Sequence, residues 1–367
     1  MKNAEKPIRV LHIFKCMPLC GGAESLIMNY YRHIDRSRVQ FDFLLHSKGY
    51  YDDEIRALGG RTYYMSLKNL PGLIRFFRAH PEYKIIQGHP PGHAPIYFTA
   101  AKLCGVPVRI SHSHNISTEP TLKGRILACI IPLIKYISNV YWACSTPAGK
   151  YMYGENRPFQ VIRNAVSAER FCPDAESRAK MREALGVGGN FVVGNVGRFC
   201  PQKNQIFLLH IFKELKSLRP EAVLLLIGAG ELEEDLRAEI QRLGLEASVR
   251  LLPPQTNIED YYRAMDVFAL PSLFEGLPMV LVEIQACGIP CVVSAEVTLE
   301  ADITGSVRFL PLEASLQTWA KAVIEAPTLQ KDAAASLQEK NYDIQVSARN
   351  LMEQYERLLA EKAGGSR

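Results

Sequence analysis

A buried strand, a tight loop and a helix follow one another without a break in residues 266–291, DVFALPSLFEGLPMVLVEIQACGIPC. Val267–Leu270 is an apolar run long enough for one buried strand, and a proline and a serine end it. Pro278 stands where the first turn of a helix begins, a position that tolerates its missing N–H. The predicted helix Met279–Ala286 ends before Gly288. We therefore expect this segment to lie in a parallel sheet.

Short apolar runs alternate with helical segments along the rest of the chain. This alternation predicts an α/β fold with parallel sheets covered on both faces. The chain has 367 residues, and single hydrophobic cores rarely grow beyond roughly 250–300 residues, so two domains are expected. The predicted strands are residues 9–14, 41–45, 62–65, 84–87, 108–111, 143–146, 160–163, 191–196, 223–227, 249–252, 267–270 and 291–294.

The loop between the strand and the helix of residues 266–291 is expected to bind an anion. In a parallel sheet it lies at the carboxyl ends of the strands, where the following helix directs unpaired N–H groups and its positive dipole end outward. Glu275 and Glu283, eight positions apart, border that site. Because a carboxylate repels a phosphate, we expect both to point toward neutral hydroxyl groups. Hydroxyl-rich groups beside a phosphate describe a nucleotide sugar.

Two other loops carry groups that suit a diphosphate. Arg198 and Lys203 precede a predicted helix, and two converging cations stabilise a departing nucleoside diphosphate as its charge develops. Gly21 and Gly22 follow the first predicted strand, and paired glycines let the backbone approach a ligand closely. The glycines of residues 228–230 lack the third glycine of a dinucleotide motif, which argues against NAD.

Charge is unevenly distributed along the chain. Residues 1–174 carry 23 Lys and Arg against 12 Asp and Glu, and the remainder carries 20 against 26. A basic first half suits a membrane surface or a lipid-pyrophosphate acceptor, since each Lys or Arg near anionic lipid contributes about 1 kcal/mol; a solvated surface is the alternative. Nucleic acid is not expected, because the basic residues are not clustered with aromatic ones. Nine cysteines without a C-x-x-C pair, and no signal peptide, predict reduced thiols in the cytoplasm.

The most apolar helical stretch is residues 122–142, LKGRILACIIPLIKYISNVYW. Lys123, Arg125, Pro132 and Lys135 interrupt it too often for a membrane span, which needs about 20 mostly apolar residues. Two interpretations remain open. The stretch is a buried helix beneath the binding cleft, or an amphipathic surface whose apolar face touches the membrane.

Histidines follow two neighbouring predicted strands. A period of two places His112 and His114 on one side, at the carboxyl end of their strand. Together with His89 and His93 they offer zinc-ligand chemistry, but no acidic or thiol ligand occurs nearby at helical spacing and four histidines in loops need not converge. There are two other interpretations: one of the histidines serves a reaction centre, or the histidines are purely structural.

Three motifs, in this order, resemble glycosyltransferase family 4. They are GGAE at residues 21–24, GRFCPQKN at residues 197–204, and two glutamates spaced E-x7-E within SLFEGLPMVLVEIQACGIPCVVS at residues 272–294. The resemblance covers nearly the whole chain and is strongest to bacterial transferases of capsular and exopolysaccharide assembly. It implies the GT-B fold, in which two Rossmann-like, doubly wound parallel-sheet domains face each other across a cleft. The domains would be residues 1–167 and 168–342, with a C-terminal helix at 343–367 that packs back on the first domain.

The resemblance also implies a function. We expect a retaining glycosyltransferase that moves a hexose or N-acetylhexosamine from a nucleotide diphosphate sugar to a lipid-linked or growing surface polysaccharide at the inner face of the cell membrane. A UDP-sugar is the expected donor. Residues 253–255, PPQ, stand where the family more often has a glycine near the nucleobase, so the base stays open. A non-hydrolysing UDP-sugar 2-epimerase and a non-catalytic sugar-nucleotide-binding subunit are the alternatives.

The resemblance assigns roles to individual residues of this chain. The catalytic set is His114, with His112 as the fallback, together with Arg198, Lys203 and Glu275. Glu283 would hold the nucleoside ribose and Glu275 the sugar hydroxyls. The full set of expected donor-binding residues is Gly21, Gly22, Arg198, Lys203, Glu275, Gly276, Leu277, Met279, Val280 and Glu283. No metal and no cofactor are expected, because the cations and the helix dipole neutralise the diphosphate and the chain lacks a D-x-D motif.

Overall fold

The computed structural model describes residues 6–19, 21–89, 92–114, 129, 132–326 and 333–364. The chain divides into two compact units. Unit 1 comprises Met1–Arg163 and Ile344–Arg367, and unit 2 comprises Asn164–Asp343. Sequence analysis placed the first boundary after residue 167, whereas the structure divides the chain after Arg163.

Unit 1 is built on a seven-stranded parallel sheet in the order β3-β2-β1-β4-β5-β6-β7. The order reverses between β1 and β4, so the loops that follow these two strands lie at the position where ligands bind in doubly wound sheets. The strands are β1 Ile8–Phe14, β2 Val39–Leu45, β3 Thr62–Tyr64, β4 Ile85–Gly88, β5 Val108–Ser113, β6 Val140–Ala143 and β7 Gln160–Val161.

Helices cover this sheet, and one of them comes from the far end of the chain. The helices of unit 1 are Gly22–His33, Asp52–Ala57, Leu70–Ala79, Ala94–Leu103, Thr146–Tyr153 and Ile344–Gly364. The last one packs against the sheet through Tyr355, whose buried ring lies 6.0 Å from Phe41 and 5.4 Å from Trp142 between centroids. Its hydroxyl donates a hydrogen bond of 2.5 Å to Gln87 on β4.

Unit 2 repeats this plan with six parallel strands in the order β10-β9-β8-β11-β12-β13. The reversal here lies between β8 and β11. The strands are β8 Val192–Val196, β9 Val223–Ile227, β10 Val249–Leu252, β11 Val267–Leu270, β12 Cys291–Ser294 and β13 Val307–Leu310. The helices are Ala175–Ala184, Gln205–Leu218, Glu233–Leu243, Ile258–Ala264, Met279–Ala286, Leu316–Ile324 and Ala333–Glu339, with 3₁₀ turns at Pro201–Lys203 and Leu299–Ala301.

The fold class predicted from sequence is confirmed, and the predicted bounds of the sixth strand are wrong. The sixth strand is Val140–Ala143 instead of 143–146, because Ser145 already caps the next helix by accepting a hydrogen bond from the N–H of Ala148. The apolar stretch 122–142 therefore ends in a strand, and half of its remainder, residues 122–128, 130 and 131, lies outside the described residues. The last helix is Ile344–Gly364, within the predicted range 343–367.

Each unit has its own apolar core. In unit 1 the core includes β1 and β4 and the helices Leu70–Ala79 and Ala94–Leu103. In unit 2 it includes β8, β9 and β11 and the helices Gln205–Leu218 and Leu316–Ile324. None of the helices in the described part of the chain combines the length and the apolarity needed to cross a bilayer.

Candidate functional site

The two motif loops of unit 2 lie where its strand order reverses. One loop follows β8 and contains residues 197–204; the other follows β11 and contains residues 271–278. The Nζ of Lys203 donates to Oε1 of Glu275 over 2.5 Å. Both side chains are largely buried, 15% and 7% exposed. An ion pair therefore connects the two loops at the position where doubly wound sheets bind ligands.

Further hydrogen bonds fix both loops. The hydroxyl of Ser272 donates to the same carboxylate oxygen of Glu275 over 3.0 Å. The Gln202 side chain donates to the backbone carbonyl of Phe274 over 2.9 Å. The backbone carbonyl of Gln202 accepts from the N–H of Leu273 over 2.8 Å. Because Lys203 has three N–H donors and gives one to Glu275, two remain for an anion. The arrangement can bind a phosphate without reorganising the loops.

Arg198 occupies a different environment. Its guanidinium donates to Oε2 of Glu231 over 3.1 and 2.9 Å, and both side chains are exposed. An exposed ion pair contributes about 0–1 kcal/mol, so an incoming phosphate can replace Glu231 at little cost. The structure therefore brings Lys203 and Glu275 together and pairs Arg198 with an acidic residue that sequence analysis did not single out.

The glycines after β9 have a packing role. A Cβ on Gly228 would lie 1.9 Å from the carbonyl oxygen of Gly197, and one on Gly230 would lie 2.2 Å from that of Phe199. Only glycine allows this close approach to the motif loop. The G-x-G pattern is thereby explained without a dinucleotide.

The helix that carries Glu283 begins directly after the second motif loop. Pro278 is its N-cap and the helix is Met279–Ala286, as predicted. The carbonyl of Leu277 accepts a hydrogen bond of 2.5 Å from the side chain of Asn164. Met279 is buried and Val280 is half-buried. The backbone N–H groups of this turn, which were expected to bind the sugar donor, therefore belong to a packed segment.

Glu283 lies one turn along this helix and bonds to a tyrosine. The hydroxyl of Tyr262 donates to Oε2 of Glu283 over 2.7 Å. Burial raises the pKa of Glu283, whereas the hydrogen bond from Tyr262 acts in the opposite direction. The two glutamates of the E-x7-E motif thus have separate partners, Lys203 for Glu275 and Tyr262 for Glu283.

In unit 1, Gly21 is the N-cap of helix Gly22–His33. A Cβ on Gly22 would meet no atom within 4 Å, so packing inside the protein does not require a glycine there. This loop follows β1, one of the two strands at the reversal of the unit 1 sheet.

Four histidines cluster at the carboxyl ends of β1, β4 and β5. Nδ1 of His12 lies 3.2 Å from Nε2 of His89, and Nδ1 of His89 lies 2.9 Å from Nε2 of His114. The side-chain amide of Gln87 lies 3.0 Å from Nδ1 of His112. His12 lies within β1 without any motif and was not considered from the sequence, whereas His93 was considered as a possible zinc ligand. His93 is the N-cap of helix Ala94–Leu103.

Burial keeps these histidines neutral. It lowers the pKa of His12 to about 3 and that of His114 to about 4. The pKa of His89 and that of His112 fall well below the usual value for the same reason, with further lowering by the neighbouring imidazoles. Ligand nitrogens of His89, His112 and His114 lie within 4.8 Å of one another, a spacing that a metal ion can bridge. The sequence left open whether the histidines converge, and these three do.

A family model described as Glycosyl transferases group 1 matches residues 177–343. The chain is 32% identical over 377 residues to the EpsF protein of Bacillus subtilis (strain 168), which is named as a glycosyltransferase, with 97% of each chain covered. It is 27% identical over 318 residues to the UDP-Gal:alpha-D-GlcNAc-diphosphoundecaprenol alpha-1,3-galactosyltransferase of Escherichia coli, with 80% of this chain and 81% of that protein covered.

Solved structures match the fold over nearly the whole chain. The crystal structure of Anabaena Alr3699/HepE in complex with UDP and glucose has a TM-score of 0.82 at 20% identity and covers 95% of this chain and 100% of that one. The structure of WaaG, a glycosyltransferase involved in lipopolysaccharide biosynthesis, has a TM-score of 0.73 at 14% identity and covers 94% and 98%. At these identities the likeness shows the fold.

Proposed function

Because the chain belongs to the group 1 glycosyl transferases and is a glycosyltransferase with two Rossmann-like domains, we propose that it takes a hexose or N-acetylhexosamine from a UDP-sugar. The acceptor is a lipid-linked or growing surface polysaccharide, and the anomeric configuration is retained, as in family 4. The neighbour Alr3699/HepE was crystallised with UDP-glucose, and the Escherichia coli relative is named for a diphosphoundecaprenol acceptor. Both names support this choice of substrates.

One observation carries the proposal for the donor. The buried pair of Lys203 and Glu275 joins the two motif loops at the strand reversal of unit 2. Lys203 would hold the diphosphate with its remaining N–H donors, and Glu275 would accept from sugar hydroxyls. Arg198 would leave Glu231 and stabilise the departing phosphate, while Glu283 would bind the ribose. Gly21, Gly22, Gly276, Leu277, Met279 and Val280 would supply backbone contacts.

The transfer itself would proceed by attack on the face from which the nucleotide leaves. The bond between the anomeric carbon and the phosphate oxygen breaks, the acceptor oxygen forms the new bond, and its proton passes to the departing phosphate. Positive side chains supply the charge stabilisation that a metal gives in other transferases. We propose that the reaction needs no metal and no cofactor.

The place of action proposed is the cytoplasmic side of the membrane. Cys104, Cys129, Cys172, Cys200, Cys287 and Cys291 are free thiols, which agrees with a reducing compartment. The excess of Lys and Arg in residues 1–174 would favour peripheral contact with anionic lipid, where the acceptor is anchored.

The donor can be tested by thermal shift against UDP-, GDP- and ADP-sugars, each with and without EDTA. A ligand at a hundredfold excess over its Kd stabilises by about 2.7 kcal/mol. We expect a shift with UDP-sugars that EDTA does not change. Transfer to a lipid-diphosphate-linked sugar, with the product's anomeric configuration read by NMR, tests the acceptor and retention. Conversion of donor without acceptor would instead indicate an epimerase, and binding without turnover a non-catalytic subunit.

A further inference from the structure

Three histidines of the cluster form a hydrogen-bonded chain, His12 to His89 to His114, of which His12 and His89 are buried and His114 is half-buried. Both ring nitrogens of His89 are engaged, Nε2 with His12 and Nδ1 with His114. The rings are close to parallel, with interplanar angles of 19° and 27°. Phe14 stacks on His89 at 4.1 Å between centroids and fixes the plane of the middle ring. The hydrogen bonds of this histidine chain thus join imidazoles only, and the middle ring is held in place by packing.

A neutral imidazole has one N–H donor and one acceptor nitrogen. His12 and His89 are buried, and no carboxylate is hydrogen-bonded to any of the three rings in the described structure. The three rings are therefore neutral, so His89 must donate to one neighbour and accept from the other. The tautomers of His12 and His114 are therefore coupled, and only two arrangements satisfy both bonds. In one, His114 carries its proton on Nδ1; in the other, it carries it on Nε2.

The His12 end of the histidine chain decides between these two arrangements. Nε2 of His12 has no hydrogen-bond partner among the described residues. Its ring lies against Phe41 and Phe43, with centroids 4.2 and 5.5 Å away. If the proton were on this Nε2, a buried N–H would lack an acceptor; among backbone groups, orphaned buried N–H groups are rarer than under-satisfied carbonyls, and we apply the same order to the ring nitrogens. The proton of His12 therefore belongs on Nδ1, which donates to His89.

We infer that His89, with His12 behind it, is a positioning residue that holds His114 in the neutral tautomer with its proton on Nδ1. The order of donors runs outward: His12 Nδ1–H to His89 Nε2, then His89 Nδ1–H to His114 Nε2. In this state His114 offers a hydrogen-bond donor and has no free basic nitrogen. This inference rests on the proposed function for the role of His114, which then binds an oxygen of the reacting complex and leaves deprotonation of the acceptor to the phosphate.

A metal ion on His89, His112 and His114 is the competing use of the cluster. The hydrogen bond between His89 and His114 would have to break, and the group contains no carboxylate to balance a divalent charge. Nε2 of His112 is buried without a partner in the described structure and favours the metal. The hydrogen-bonded histidine chain accounts for more of the contacts. Addition of zinc after EDTA in an NMR experiment tests the metal.

The tautomers can be read directly by long-range ¹H–¹⁵N NMR on protein labelled at histidine. Signals are assigned with His12→Phe, His89→Phe and His114→Gln, and His80→Gln is the control, since His80 lies before the amino end of β4. We expect His12 and His114 to carry their protons on Nδ1 between pH 6 and 8, with spectra unchanged by EDTA. A charged His114, its proton on Nε2, or spectra that change when zinc is added after EDTA would overturn the assignment.

Kinetics provide the second readout. A phenyl ring in His89→Phe fits against Phe14, so the fold is expected to survive, while the bond to His114 is lost. We expect kcat to fall more than tenfold with the donor Kd unchanged, and His89→Gln, whose amide both donates and accepts, to recover part of it. Equal kcat in His89→Phe and wild type would refute the positioning role. If wild type transfers no sugar, the proposed function fails, whereas the NMR of the wild-type protein still decides the tautomers.

Discussion

The two units place opposite kinds of chemistry at the reversal of equivalent sheets. Unit 2 holds charged groups there, the buried pair of Lys203 with Glu275 and the exposed pair of Arg198 with Glu231. Unit 1 holds neutral imidazoles. Both arrangements are built on parallel strands with the same pattern of reversal. The sheet therefore determines where a site forms, and the side chains after the strands determine whether it handles charge or hydrogen bonds.

The contrast has an energetic cause. A buried ion is tolerated only beside an opposite charge, and Lys203 and Glu275 satisfy each other. The histidine chain has no acidic member, so its rings lose their charge and use their nitrogens for each other. Each solution is stable only as a set, which makes single substitutions informative.

The largest effect is expected from Lys203→Ala. It leaves the Glu275 carboxylate buried without its partner, and breaking such a pair costs about 3–5 kcal/mol. Sugar transfer should fall by more than about a hundredfold, because a transition-state cation contributes a few kcal/mol. Urea unfolding and initial rates measure the two effects. The double variant Lys203→Met with Glu275→Leu should recover stability while remaining inactive; recovery of activity would remove both residues from the reaction.

Arg198→Ala should separate function from stability. Because its pair with Glu231 is exposed, we expect the free energy of unfolding to change by no more than about 1 kcal/mol. Turnover should nevertheless fall by well over tenfold, since the guanidinium would act on the departing phosphate. Arg237→Ala is the matched control, because Arg237 is also exposed and pairs with Glu233 on the same helix, Glu233–Leu243. Similar rates for both variants and wild type would contradict the assignment.

The last expected effect is a difference in pH dependence between the units. The pKa of His12 is about 3 and that of His114 about 4 in the folded protein, below the ordinary value of about 6.5. The unfolded chain therefore binds more protons, and unit 1 should lose stability as the pH falls from 6.5, by up to about 1.4 kcal/mol per pH unit for each histidine.

The two tryptophans allow this difference to be measured. Trp142 is buried in unit 1 and Trp319 in unit 2. Urea unfolding followed by fluorescence in Trp319→Phe reports unit 1, and in Trp142→Phe reports unit 2. Between pH 7 and 5 the midpoint for unit 1 should drop while that for unit 2 stays nearly constant. Parallel behaviour of the two units would mean that the histidines are not held neutral.

Much of the fold could be predicted from sequence because strong local patterns coincide with the elements. The bounds of Val223–Ile227, Val267–Leu270 and Met279–Ala286 agree with the prediction. The edge strand Val307–Leu310 was missed, since its half-buried residues give no clear apolar run. The sixth strand was misplaced because a side-chain cap, which only the folded chain forms, determines where the next helix begins.

The site was predictable only in part. The motif spacing selected Lys203, Glu275 and Glu283, but not the partners that orient them. Glu231 and Tyr262 lie far along the chain from Arg198 and Glu283, in segments without a motif. The histidine chain likewise joins residues from three strands, and the period within one strand cannot indicate which neighbours it will meet.

The return of helix Ile344–Gly364 to unit 1 has a consequence for biosynthesis. Unit 2 is one continuous segment, whereas unit 1 is complete only after Ile344–Gly364 has been added. At ordinary elongation rates the ribosome needs about 10 to 40 s to add unit 2. Throughout that interval the surface of Phe41 and Trp142 lacks Tyr355 as its cover. The first half of this protein thus leaves the ribosome first but can close its core only after the second half has been made.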